Sequence, residues 1–391
     1  MPSERVKQLQ PSPTLAVTQR AAELRAAGRD IIGLGAGEPD FDTPEHIKQA
    51  AIQAIRDGRT KYTAVDGIAE LKTAIIDKLK RDNGLAFESS EILVSNGAKH
   101  SLFNLCQALI NPGDEAVIPA PYWVSYPAMV ELAGGRPIVI RSSIDQRYKI
   151  TAEQLEKALT PKTRLVFLNS PSNPTGVAYS RDELKALGEV LTKHPDVVVA
   201  TDDIYEHILW GAEPFCNALM ATPGLKERAV VFNGVSKAYS MTGWRIGYAA
   251  GPKALIGGMK KIQSQSTSNP CSISQAAAVA ALDGDQGCVA DMVKAFRERH
   301  DFVVGALNGI RGVRAIPSDG TFYSFPDVSE AIAALDGVDD DLQLAEYLLN
   351  EANVALVPGS AFGAPGHMRL SYATSMDNLH KAMERLGEAL G

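Results

Sequence analysis

A chain of 391 residues is longer than one hydrophobic core usually supports, and its 45% hydrophobic and 22% charged residues exclude a disordered or collagen-like polymer. A formal net charge of -7 gives no general attraction to phosphate backbones or anionic membranes, so neither nucleic acid nor a membrane is an expected partner. Cys106, Cys216, Cys271 and Cys288 are too scattered for a zinc or redox pair, the seven histidines form no His-Glu-x-x-His cluster, and the sequence has neither a signal-like apolar core nor a membrane-length apolar run; a metal-free, cytoplasmic protein is the expectation.

In chain order, the first predicted element is an amphipathic helix over Thr14 to Ala27, closed by Gly28, where positive φ commonly ends a helix. Short β-rich runs then alternate with helical patterns: Ile92 to Ser95, Glu115 to Pro119, Pro137 to Ile140, Arg164 to Asn169, Val197 to Thr201, Ala229 to Asn233 and Ile246 to Ala250. Several of these runs are apolar at consecutive positions, as in a mostly parallel sheet with helices on both faces. After about Asn269 come two long helices (Ser272 to Leu282, Val289 to Leu307) and strands near Arg314, Phe322, Ala355 and Arg369. The expected architecture is α/β: residues 1–40 as an amino-terminal segment on the smaller domain, 41–270 as a large domain with a seven-stranded sheet, and 271–391 as a small α+β domain.

Ligands of such sheets gather at the carboxyl ends of strands, and polar clusters follow several predicted strands. Asn233-Gly-Val-Ser-Lys-Ala-Tyr-Ser-Met-Thr-Gly-Trp-Arg sets Lys237 and Arg245 among small and aromatic residues, surroundings that lower an amine's pKa and make it nucleophilic. Thr201-Asp-Asp-Ile-Tyr-Glu places one carboxylate toward the crevice; alone it also fits a helix amino terminus. Asn169-Ser-Pro-Ser-Asn-Pro-Thr-Gly fixes a turn that exposes Asn173. Ser95-Asn-Gly-Ala-Lys passes from strand to helix, so the N–H groups of Gly97, Ala98 and Lys99 would point at an anion. Singly, each cluster also fits an ordinary loop, turn or βα junction.

Together and in this order the clusters resemble the fold-type I aminotransferases, with further landmarks at Gly35-Ala-Gly-Glu-Pro-Asp-Phe, Tyr62-Thr-Ala-Val-Asp-Gly, Pro121-Tyr-Trp and Arg369-Leu-Ser-Tyr. The resemblance covers essentially the full chain and implies pyridoxal 5'-phosphate (PLP) as cofactor. Lys237 would carry it as a Schiff base and later act as the base at Cα. Asp202 would pair with the ring nitrogen, whose protonation makes the cofactor an electron sink. Tyr205 and Asn173 would hold the ring oxygen, and Trp123 would stack on the ring. Gly97, Ala98, Lys99, Ser236 and Arg245 would surround the phosphate, together with Tyr62 from a second subunit, which implies a homodimer with shared sites. A serine that often joins this phosphate cup in the family corresponds to Gly234. Arg369 would grip the substrate α-carboxylate in a bidentate pair, with Gly37, Trp123 and Asn173 beside the substrate.

In the family's best-known aspartate enzymes an arginine from the neighbouring subunit reads the distal carboxylate, where this chain has Ser264. The chain instead resembles a bacterial and plant branch in which Lys99 and Thr14 would take that carboxylate. A lysine is a flexible point charge, so one pocket could accept aspartate, glutamate and a larger dicarboxylate such as prephenate. The rival readings are an aminotransferase for aromatic amino acids or alanine, an aminocyclopropane-carboxylate synthase, and a non-catalytic cofactor-binding regulator. The last would need a DNA-binding module for which the short, non-basic amino terminus leaves no room.

Overall fold

The computed structural model describes residue 3, residues 6–7, residue 9 and residues 13–391. Twelve strands follow in chain order: β1 (Ile32–Gly33), β2 (Ile92–Ser95), β3 (Glu115–Ala120), β4 (Arg136–Arg141), β5 (Thr163–Asn169), β6 (Val198–Asp202), β7 (Ala229–Gly234), β8 (Gly247–Ala250), β9 (Tyr323–Ser324), β10 (Val354–Ala355), β11 (Val357–Pro358) and β12 (Met368–Ser371). Seven of them form one sheet in the order β2-β8-β7-β6-β5-β3-β4. All neighbours pair in parallel except β8, which runs antiparallel to both β2 and β7.

The consecutive apolar residues of these strands divide between two cores because successive side chains leave opposite faces of a strand. Val166, Val199 and Val231 join one core; Phe167, Ala200 and Phe232 join the other. The central strands are buried on both faces, and the sheet opens at its strand ends, where β5, β6 and β7 deliver Asn169, Asp202 and the Ser236-Lys237 loop.

A separate core joins Ile32 and Leu34 with Phe296, Phe322, Leu344, Leu370 and Leu386. The three-stranded sheet β11-β12-β9 and the parallel pair β1-β10 lie there, so the amino-terminal strand is sealed into the carboxyl-terminal lobe. The amino-terminal helix runs Pro13–Ala26 and turns a narrow stripe inward, Val17, Ala21 and Leu24, against Leu349 and Ala355. Only Ala21 of that stripe is fully buried, so the helix is less amphipathic than expected.

Two strand expectations need correction. The run near Arg314 forms an isolated bridge with Asp327, not a strand. The single strand expected at Ala355 is two, because Val354–Ala355 pairs with β1 and Val357–Pro358 with β12.

Candidate active site

A cavity of about 410 Å³ opens where the two lobes meet the ends of the large sheet. From the large lobe, Ala98, Lys99, Trp123, Asn173, Asp202, Tyr205, Ser236, Lys237 and Arg245 reach it; Gly37 and Arg369 close it from the other side. Three expected residues, Gly97, Tyr62 and Thr14, do not line it. Tyr62 stands 93% exposed on the surface of the single chain. The backbone of Thr14 lies in the first turn of helix Pro13–Ala26, while its side chain lies outside the described residues; Thr18, one turn further, lines the cavity.

Lys237 follows β7 and donates to the carbonyl of Gly37. Burial lowers its pKa to about 8; Arg369 and Arg245 push the same way, and Glu38 and Asp202 oppose them. A cation enclosed by protein loses hydration that no single neighbour restores, so a neutral amine becomes accessible near neutral pH.

Asp202 ends β6. Its carboxylate accepts a 2.6 Å hydrogen bond from Tyr126 and a longer one, 3.4 Å, from the N–H of Ile204. Burial raises its pKa to about 6, against the lowering pull of Tyr126, the Ile204 N–H and Lys237, so it remains largely ionised at pH 7. The neighbouring Asp203 turns away and is held by Thr201 and Asn217, each at 2.6 Å; burial pushes its carboxyl up to about 8. One carboxylate of the pair therefore faces the cavity and the other belongs to the interior.

Helix Ala98–Leu109 presents its amino terminus to the cavity, with Gly97 (φ +84°) as its cap. The expectation for Gly97 changes here: its N–H donates to the Ser95 carbonyl at 2.7 Å, leaving Ala98 and Lys99 to offer first-turn N–H groups. A Cβ at Gly97 would run into the Arg245 guanidinium, so glycine is what lets that cation come close. Arg245 is held by the Thr242 carbonyl at 2.6 Å. Gly234 also has a steric reason: a Cβ there would lie 2.9 Å from both the Gly247 Cα and the Ile246 carbonyl oxygen, where β7 and β8 run close together.

Arg369, on β12, is 2% exposed. Its guanidinium donates to Asn173 Oδ1 at 3.0 Å and to the Gly35 carbonyl at 2.7 Å, and lies 4.6 Å from the centre of the Tyr323 ring. Its Nε is buried with no hydrogen-bond partner in the protein. Burying a cation with spare donors is costly unless an anion completes the site. Asn173 is itself fixed by its own N–H, which donates to Asn169 Oδ1 at 2.8 Å.

Lys99 lies 5.0 Å from the centre of the Trp123 ring, and burial with Arg245 nearby lowers its pKa. Ser264 is exposed, donates to the Lys261 carbonyl and does not reach the cavity. Several contributors were not singled out from sequence. Tyr126 sits three residues beyond Trp123, a helical spacing that could have revealed it. Tyr323 and Thr18 lie in segments with no local motif, whereas Glu38 lies inside the Gly35-Ala-Gly-Glu-Pro-Asp-Phe landmark.

The family model for aminotransferase class I and II matches residues 29–386. The chain is 59% identical over 393 residues to the aspartate/prephenate aminotransferase of Nitrosomonas europaea, covering 99% of each. It superposes on the crystal structure of the aspartate aminotransferase from Rhizobium meliloti with a TM-score of 0.96 and 48% identity, covering 100% of this chain and 98% of that one. For the Thermus thermophilus aspartate aminotransferase with maleate the TM-score is 0.94 and the identity 42%, with full coverage of both. Among the described residues no helix is long and apolar enough to cross a membrane. A match of this extent, on a cavity that joins a lysine of lowered pKa to a buried carboxylate and a buried arginine, means that the chain belongs to the class I and II aminotransferases.

Proposed function

We propose that the chain is a PLP-dependent aspartate aminotransferase, moving the amino group of L-aspartate to 2-oxoglutarate, and that it also aminates prephenate to arogenate. The observation that carries this reading is the convergence of Lys237, Asp202 and Arg369 on one cavity. The residues present fit the cofactor. A helix amino terminus with Ser236 and Arg245 suits a phosphate, an ionised buried carboxylate suits a pyridinium nitrogen, and the unsatisfied Arg369 Nε suits a carboxylate.

When bound, PLP supplies the electron sink that allows the bond between Cα and hydrogen of an amino acid to break. Lys237 would hold the cofactor covalently, and its amine of lowered pKa is the base placed to take and return the Cα proton. Asp202 would pair with the cofactor's ring nitrogen and favour its protonated form, and Tyr126 keeps Asp202 ionised and aimed. Tyr205 and Asn173 would hold the ring oxygen, and Trp123 would cover the ring. Arg369 orients the substrate through its α-carboxylate, with Gly37 beside it. The enzyme works as a homodimer in which the exposed Tyr62 completes the neighbour's phosphate site, and it resides in the cytoplasm.

Lys99 binds the distal carboxylate, assisted by Thr14. The arginine that the family's best-known aspartate enzymes bring from the neighbouring subunit is replaced by Ser264, and Lys99 is a cation in the cavity without a fixed fork. The Thermus thermophilus relative was solved with maleate, a four-carbon dicarboxylate. A matrix of amino donors against oxo acids tests the assignment. Aspartate and glutamate should lead the donors, and kcat/KM for oxaloacetate and prephenate should agree within about tenfold, a difference of about 1.4 kcal/mol. A preference for pyruvate or phenylpyruvate would overturn the dicarboxylate reading.

A further inference from the structure

We infer that Tyr323 is a positioning residue for this reaction, a single small-lobe side chain that sets both the Tyr205 hydroxyl and the Arg369 guanidinium. The inference rests on the proposed cofactor site. Tyr323 leaves β9 fully buried, and its hydroxyl lies 3.0 Å from that of Tyr205. Its ring lies against the Arg369 guanidinium and packs edge-on to the Tyr205 ring, with centroids 5.9 Å apart. A Cβ at Gly37 would come within 3.2 Å of the Tyr323 oxygen, so the amino-terminal segment approaches this phenol closely because it carries glycine there.

Among the described residues each of the two hydroxyls has the other as its hydrogen-bond partner. A phenol has one proton, and a guanidinium can only donate. Once Tyr205 turns its proton to the cofactor's ring oxygen, its own oxygen is left to accept from Tyr323. The direction of the pair is thereby fixed: Tyr323 donates to Tyr205, and Tyr205 donates to the ring oxygen. Donors in series polarise one another, so the Tyr323 hydroxyl strengthens the contact that favours an ionised ring oxygen. The ionisable groups facing the pair are Asp202 and Lys237 of the large lobe, Glu38 after β1 and Arg369 of β12. Among the described residues none of them hydrogen-bonds the Tyr205 hydroxyl.

The test is a pH titration of the visible absorbance of the holoenzyme in wild type, Tyr323→Phe, Tyr205→Phe and the double variant. Tyr323→Phe removes one oxygen and keeps the ring beneath Arg369. It should raise the absorbance midpoint by about 0.5–1 pH unit, the size of one lost neutral hydrogen bond. In the Tyr205→Phe background the same change should add no further shift, because the effect passes through Tyr205. An unchanged midpoint in Tyr323→Phe, or equal shifts in both backgrounds, would overturn the inference. A wild-type protein with no pH-dependent visible band would instead overturn the cofactor reading beneath it.

Discussion

The two walls of the cavity are built differently. The cofactor-facing wall comes from neighbouring strand ends of one sheet, where β5, β6 and β7 place Asn173, Asp202 and Lys237 within a few residues of paired backbone. Its carboxylate is tied down by Tyr126 and its amide by Asn169. The wall proposed to face the substrate gathers Gly37, Lys99, Arg369 and Tyr323 from four separate stretches of chain, and it keeps an unpartnered Arg369 Nε. On the proposed function, the sheet holds the chemistry that every substrate shares, while discrimination is left to elements that differ in origin and can be altered singly.

That division predicts how lesions sort. Asp202→Asn should lower kcat by roughly a thousandfold, about 4 kcal/mol of barrier, for every amino acid alike; a loss confined to one substrate in steady-state assays would break the division. Arg369→Lys replaces a planar fork with a point charge and should raise KM for all amino acids by roughly a hundredfold, read from the same assays. Lys99→Ala should raise KM for aspartate and 2-oxoglutarate by about fivefold, the upper size of a solvent-screened charge contact, and leave monocarboxylic substrates unchanged. Equal losses for both classes would remove Lys99 from the specificity wall.

The smallest expected effect concerns stability without cofactor. The native amine of Lys237 has its pKa lowered to about 8 from an ordinary 10.5, so below pH 8 the folded protein bears the full cost of an enclosed charge. Between pH 8 and 10.5 the native amine sheds its proton before the unfolded one, and stability rises with pH. Lys237→Met should therefore stabilise the cofactor-free protein by about 2–3 kcal/mol at pH 7, allowing for the side chain's partial exposure, with the gain gone above about pH 10.5. Denaturant melts across this range measure it; a gain that grows with pH would contradict the assignment.

The same contrast governs what can be read from sequence. The strands of the large sheet are legible to within a residue or two because their side chains are buried on both faces, as at Val166-Phe167 and Val230-Val231-Phe232, and the residues just beyond their ends follow from that. The small lobe is less legible: β9, β10 and β11 are two residues each, too short for a period, and Arg314 pairs through one bridge. Tyr323 reaches Tyr205 across 118 positions, and Tyr126 reaches Asp202 across 76, separations at which no local pattern operates. Gly97 was placed correctly at the helix start, but that its N–H turns back to Ser95 is a detail of backbone geometry.

The most direct measurement is borohydride reduction of the holoenzyme followed by peptide mass analysis. The account predicts that the reduced cofactor is found on the peptide containing Lys237, and that Lys237→Ala loses both this adduct and transamination. An adduct on another lysine, or turnover retained without Lys237, would contradict it.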